Sequence, residues 1–170
     1  MERKFSVVTT FNQSGYDKYA SRMIDTFLKN WPREITLYVY AEDCTVTQSA
    51  DNLVIYNFNQ QVPLLVEFKN QWKDDPRATG RLATGPADRK GRRSGIGFRW
   101  DAIRFSHKVY AVCDAARQVD HTLFWMDADM VCHTPIDTDS IDQLTPESYG
   151  ISFLGRERKF TECGLYALNM

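Results

Sequence analysis

Residues 123–131 read LFWMDADMV, a short apolar run that ends in two carboxylates one residue apart. Four bulky apolar residues in a row are the kind of run expected for a strand buried on both faces of a sheet, as in parallel α/β architectures. A carboxylate costs several kcal/mol to bury without compensation, so Asp127 and Asp129 need water, a cation or a metal beside them. In open α/β sheets that place is the crevice beyond the carboxyl ends of the strands, where ligands bind. In a regular strand residues two apart share a face, so this spacing would let both carboxylates approach one cation.

The rest of the chain supports such a sheet. KFSVVTTFN predicts a strand over 5–10, EITLYVYAED one over 35–41, and DNLVIYNFN one over 53–58. Between the first two, SGYDKYASRMIDTFLKNWP reads as a helix with Ser14 as N-cap and Pro32 as the stop. Its Tyr16, Tyr19, Met23, Phe27 and Trp31 recur at helical spacing, a stripe expected to pack into a core. FRWDAIRFSHKVYAVCDAARQV predicts a further helix with Ala102, Phe105, Val109, Val112 and Ala116 on its apolar face. Asp101, Arg104 and Lys108 share a neighbouring face, either as a weak charge ladder or directed at a phosphate. GLYALNM reads as a last strand. Strand and helix alternate, which predicts a mostly parallel central sheet flanked by helices.

At 170 residues with 43% hydrophobic and 25% charged, the chain is expected to form one domain over 1–170. A net charge of -1 provides no global field for nucleic acid, so any phosphate must be held by a local site. There is no leader-like apolar segment and no run near the ~20 apolar residues of a membrane span, so the expectation is a cytoplasmic protein without a transmembrane segment. Cys44, Cys113, Cys132 and Cys163 include no CxxC pair and are expected as reduced thiols. Residues 71–97 are rich in Gly, Arg and Lys and almost free of large apolar residues. They predict a flexible loop, either a lid that orders on ligand or a solvated insertion.

D-x-D alone is a weak pattern, and its setting gives it weight. The pair closes an apolar strand, follows a long helix and precedes VCHTPID, while the chain opens with a strand ending in Thr9 and Thr10. This combination resembles the nucleotide-sugar glycosyltransferases of the GT-A fold, a Rossmann-related α/β architecture whose D-x-D carboxylates hold a divalent metal against the donor diphosphate. The resemblance implies Mn2+ or Mg2+ as cofactor, hard ions that favour oxygen ligands. It further implies a nucleoside-diphosphate sugar donor and an acceptor hydroxyl of unknown identity. Carried onto this sequence, Asp129 would ligate the metal directly, and Asp127 would touch the metal or the donor ribose. Thr9, Thr10 and Phe11 would line the nucleotide pocket, with Glu42 or Asp43 accepting from the base. Arg104 and Lys108 would face the diphosphate or the metal carboxylates. Glu162, in TECG, is the candidate base for the acceptor, with a solvated loop acid as the alternative.

The sequence departs from that family at its end. Such domains often take a third metal ligand, a His, from a segment that would follow Met170, and His107, His121 and His133 do not obviously replace it. The expectation is therefore a domain without its usual closing segment.

Two other readings compete. DADMV matches the D-x-D-x-[TV] signature of haloacid dehalogenase phosphatases, but that motif belongs at the end of a first strand with further motifs downstream, which disfavours it here. A non-catalytic module binding nucleotide-sugar or carbohydrate is the other. The segment lacks the glycine and terminal glutamate of an EF-hand, and Gly91, Gly95 and Gly97 do not make a phosphate loop or dinucleotide fingerprint.

Overall fold

A computed structural model describes residues 4–80, 101–157, 161 and 163–170. The chain divides into two compact units, Met1–Gln61 with Ala111–Met170, and Val62–Tyr110.

The first unit is a six-stranded sheet with strands β1 (Phe5–Asn12), β2 (Thr36–Glu42), β3 (Leu53–Asn57), β4 (Thr122–Met126), β5 (Ile151–Phe153) and β6 (Leu165–Leu168). Their order is β3-β2-β1-β4-β6-β5. β3, β2, β1 and β4 run parallel, with Thr9 opposite Val39 and Val8 opposite Trp125. β6 is antiparallel to β4, Trp125 facing Tyr166, and β5 is antiparallel to β6. The architecture is thus the expected mostly parallel α/β sheet, and β4 is an interior strand with all of its residues buried.

Helical structure follows β1 directly. α1 (Gln13–Gly15), a π-helical turn (Tyr16–Ala20) and α2 (Ser21–Asn30) continue one another. The cap is Asn12, whose side chain accepts from the Gly15 N–H at 2.9 Å, and not Ser14: the strand ends at a residue that can itself cap, so the helix starts earlier. Gly15 is buried, and a Cβ there would lie 2.9 Å from the Tyr19 hydroxyl and 3.3 Å from Phe11 Cβ, so a larger residue would have to displace the end of the Tyr19 side chain and crowd Phe11.

The π turn bonds Ser21 N–H to Tyr16 O and adds a residue to that turn, which slips the helical register by one. The buried residues become Tyr16, Ala20, Met23, Ile24 and Phe27. Tyr19, expected in that stripe, is 40% exposed. Trp31 stacks on Phe27 at 5.1 Å and meets Phe124 edge-on at 5.8 Å. With Val7, Leu37, Val39 and Met126, these side chains form the core on one sheet face.

The other face carries a polar clasp. Tyr40 and the Gln61 and Gln118 amides all donate to Asp114 Oδ2, at 2.8, 3.0 and 3.0 Å, and Tyr56 donates to Gln118 Oε1 at 2.7 Å. Burial, then the Asp114 hydrogen bond and charge, push the Tyr40 phenol far above its usual range. Asp114 lies on α5 (Ala102–Ala116), whose Ala111, Val112 and Ala115 are buried. The expected apolar face fails at its start, because Phe105 and Val109 are 42% and 58% exposed. Two short helices missed by sequence reasoning, α3 (Phe58–Gln61) and α6 (Thr138–Leu144), complete this unit.

The second unit contains α4 (Pro63–Trp72), another helix that sequence reasoning missed, started by proline at its first turn. The residues expected to open a loop at Gln71 are its last turn, and Asp75 then organises a turn through the Arg77, Ala78 and Thr79 N–H groups. Residues 81–97 of that expected loop lie outside the described residues. Phe68 meets Tyr110 at 6.0 Å, and Ile103 N–H bonds Ala78 O. Asp101 caps the start of α5 through the Arg104 N–H at 2.9 Å. Arg104 and Lys108 belong to this unit.

Candidate functional site

The strand order defines where a ligand would sit. From β1 the chain builds outward through β2 and β3 on one side, then places β4 on the opposite side of β1. The carboxyl ends of β1 and β4 therefore flank the point where strand order reverses, the position at which open α/β sheets form a binding crevice. Asp127 and Asp129 follow β4 at that end.

They do not lie in a regular strand. β4 stops at Met126, and Met130 N–H bonds Asp127 O at 3.1 Å, which closes a turn over 127–130. Strand alternation therefore does not relate Asp127 to Asp129. Ala128, between the carboxylates, is buried in the core, which turns the flanking residues outward. Asp127 is half-buried and fixed twice: its N–H donates to Gly164 O at 2.7 Å, and its Oδ1 accepts from Trp125 Nε1 at 2.6 Å. Asp129 is exposed and makes no hydrogen bond or ion pair among the described residues. One carboxylate is positioned by the fold, and the other is presented to solvent.

Alternation along β1 sorts the residues expected to line a nucleotide pocket. Thr9 and Phe11 share the buried face: Thr9 is fully buried with no hydrogen-bond partner for its hydroxyl among the described residues, and Phe11 stacks on Tyr16 at 5.8 Å. They back the site from within the core instead of presenting surface. Thr10, on the other face, donates to Tyr40 O at 2.7 Å. Glu42 ends β2 opposite Asn12. Asp43 has a left-handed backbone, φ 44°, which an aspartate tolerates better than most residues, and accepts from Asn59 Nδ2 at 3.1 Å. Glu162 lies outside the described residues. His121 shares a hydrogen bond with Ser6 at 2.8 Å, and His107 bonds carbonyls of its own helix.

No protein-family model matches this chain, and no curated protein does. Among solved structures it is similar to the apo structure of WbbM, a bifunctional glycosyltransferase, with a TM-score of 0.51 at 9% identity. The likeness covers 99% of this chain and 32% of that one, so the chain spans about a third of the length of its structural neighbour.

The likeness is one of fold.

Within this fold, sequence reasoning missed Trp125 as a polar partner, because the indole reads as one more apolar residue of the run. A signal was present: a buried indole N–H requires an acceptor, and Asp127 is the nearest acid. Gly164 gave no such signal, since its carbonyl meets Asp127 only through the pairing of β4 with β6. No helix among the described residues is long and apolar enough to cross a membrane.

Tyr166 reports the charge of this region. Burial first, then the Asp127 carboxylate and the Cys113 and Cys163 thiols, push its phenol up to about 12. A phenol that ionises later in the folded than in the unfolded chain contributes stability that is whole below pH 10.0 and is lost as pH rises through about 12. Tyr166→Phe is therefore expected to flatten the alkaline loss of stability in denaturant titrations at pH 9 and 11.5. Asp127→Asn is expected to bring the Tyr166 absorbance step to lower pH. Equal alkaline losses in wild type and Tyr166→Phe would show that this phenol is not the group responsible.

Proposed function

We propose that this chain is a metal-dependent glycosyltransferase domain that moves a sugar from a nucleoside-diphosphate sugar to an acceptor hydroxyl, with Asp127 and Asp129 holding Mn2+ or Mg2+. The observation that carries this reading is Asp129, an exposed carboxylate without a partner among the described residues, presented at the switch point of a glycosyltransferase-like sheet. The donor set fits a hard cation, which commonly takes one or two carboxylates and completes its shell with substrate phosphate oxygens and water. Among the described residues no cluster of three or more His, Cys, Asp or Glu is suited to a metal, and on this reading diphosphate oxygens and water would complete the shell.

When bound, the cation supplies charge that stabilises a departing diphosphate. The protein's own residues do the positioning. Trp125 and Gly164 hold Asp127, while Asp129 stays accessible to the ligand. On this reading Thr10, Glu42 and Asp43, at or near the neighbouring strand ends, would serve the nucleoside.

The test is thermal unfolding with UDP, GDP, ADP and CDP, each in Mn2+ and in chelator. A ligand at 100 times its Kd raises stability by about 2.7 kcal/mol through mass action, so a binding nucleotide is expected to raise Tm in Mn2+ and much less in chelator. If no nucleoside diphosphate gives a metal-dependent shift, the reading is wrong. A sugar-transfer assay then separates an enzyme from a binding module that uses the same site.

A further inference from the structure

The turn that presents Asp129 has only one well-built side. Upstream it continues an interior strand; downstream, residues 130–136 form neither helix nor strand. Among the described residues, that segment's backbone hydrogen bonds beyond its own turn all run to the last turns of α2. Cys132 N–H donates to Thr26 Oγ1 at 3.2 Å, Asn30 Nδ2 donates to Cys132 O at 2.6 Å, and Ile136 N–H donates to Asn30 O at 3.0 Å. Thr26 and Asn30 stand four residues apart on α2 and so share one helical face. Asn30 is 8% exposed, a buried polar side chain whose amide serves the Cys132 carbonyl. Met130, Cys132 and Ile136 pack against the core beside this contact.

We infer that Thr26 and Asn30 are positioning residues for Asp129: by fixing the backbone at Cys132, they set where the exposed carboxylate stands relative to the anchored Asp127. This rests on the functional reading above and extends it to residues that touch neither metal nor nucleotide. The reason is geometric. A turn pinned at one end leaves its far residue free to move, whereas a carboxylate must hold its place to ligate well. Outer partners that orient ligands are typically worth 10–100-fold in metal affinity, and an anchor acting through three residues of backbone belongs at the low end.

The experiment measures nucleoside-diphosphate affinity in Mn2+ and in chelator, together with amide exchange over 130–136 in metal-free protein. Asn30→Asp, which sets a carboxylate oxygen against the Cys132 carbonyl, is expected to reduce the metal-dependent gain in affinity by about 10-fold and to speed exchange over 130–136. Thr26→Val, at a half-exposed position where folding is not at risk, is expected to do the same to a smaller extent, and Thr26→Ser to retain the wild-type gain. Tyr56→Phe, which removes a hydrogen bond on the opposite sheet face, should lower Tm without changing the gain. Wild-type gain in both Asn30→Asp and Thr26→Val, or unchanged exchange over 130–136, overturns the inference alone. A wild-type protein with no metal-dependent gain overturns the functional reading and this inference with it.

Discussion

Asp129→Asn is expected to abolish the coupling between Mn2+ and a nucleoside diphosphate while leaving the fold intact. The side chain is exposed and has no partner among the described residues, so its replacement should change stability by no more than about 0.5 kcal/mol. Asparagine keeps the shape and removes the charge. Coupling between two ligands is reciprocal: the metal supplies charge for the diphosphate, the diphosphate supplies oxygens for the metal, and each raises the other's affinity by the same factor. A factor of about 5–150 is typical of such pairs, and it should fall to about one in the variant. Isothermal titration of the diphosphate in Mn2+ and in chelator measures it directly. Equal binding under both conditions, in wild type as well as in the variant, would remove the metal site from the account. Coupling in wild type without sugar transfer would instead favour a binding module.

The largest loss of stability should come from Phe27→Ala. Phe27 is fully buried, stacks on Trp31, and through it reaches Phe124 on β4. Truncating a buried phenylalanine removes its transfer energy and leaves a cavity, together about 3–5 kcal/mol. For a chain of this size that corresponds to a fall of roughly 6–20 °C in Tm. Tyr19→Ala is the informative contrast, because plain helical spacing puts Tyr19 and Phe27 in one stripe. With Tyr19 40% exposed, its loss should be within about 1 kcal/mol. Denaturant unfolding of both variants decides the matter, and comparable losses would mean that the π turn at Tyr16–Ala20 does not slip the register as described.

Much of the sheet was legible locally. The strands at KFSVVTTFN, EITLYVYAED, DNLVIYNFN and LFWM are runs of β-branched, aromatic and aliphatic residues with turn residues between them, and each formed within two residues of its expected bounds. The helical errors were local as well. Asn12 outcompeted Ser14 as a cap because the strand already delivered it in extended backbone, φ -102° and ψ 178°, which is the geometry a cap requires.

From sequence alone, the apolar run ending in D-x-D determined a buried strand with two carboxylates at its carboxyl end, since burying the run and solvating the charges can be satisfied together only there. Strand and helix alternation likewise determined a mostly parallel sheet. The tertiary structure decided what those carboxylates can do. It set β4 beside β1, which made their common end a switch point. It brought Gly164 to Asp127 through an antiparallel strand, and it carried Asn30 to Cys132 across 102 residues of chain. Contacts between distant segments depend on which packing of the whole chain has the lowest free energy, and no periodicity within a single segment encodes that choice.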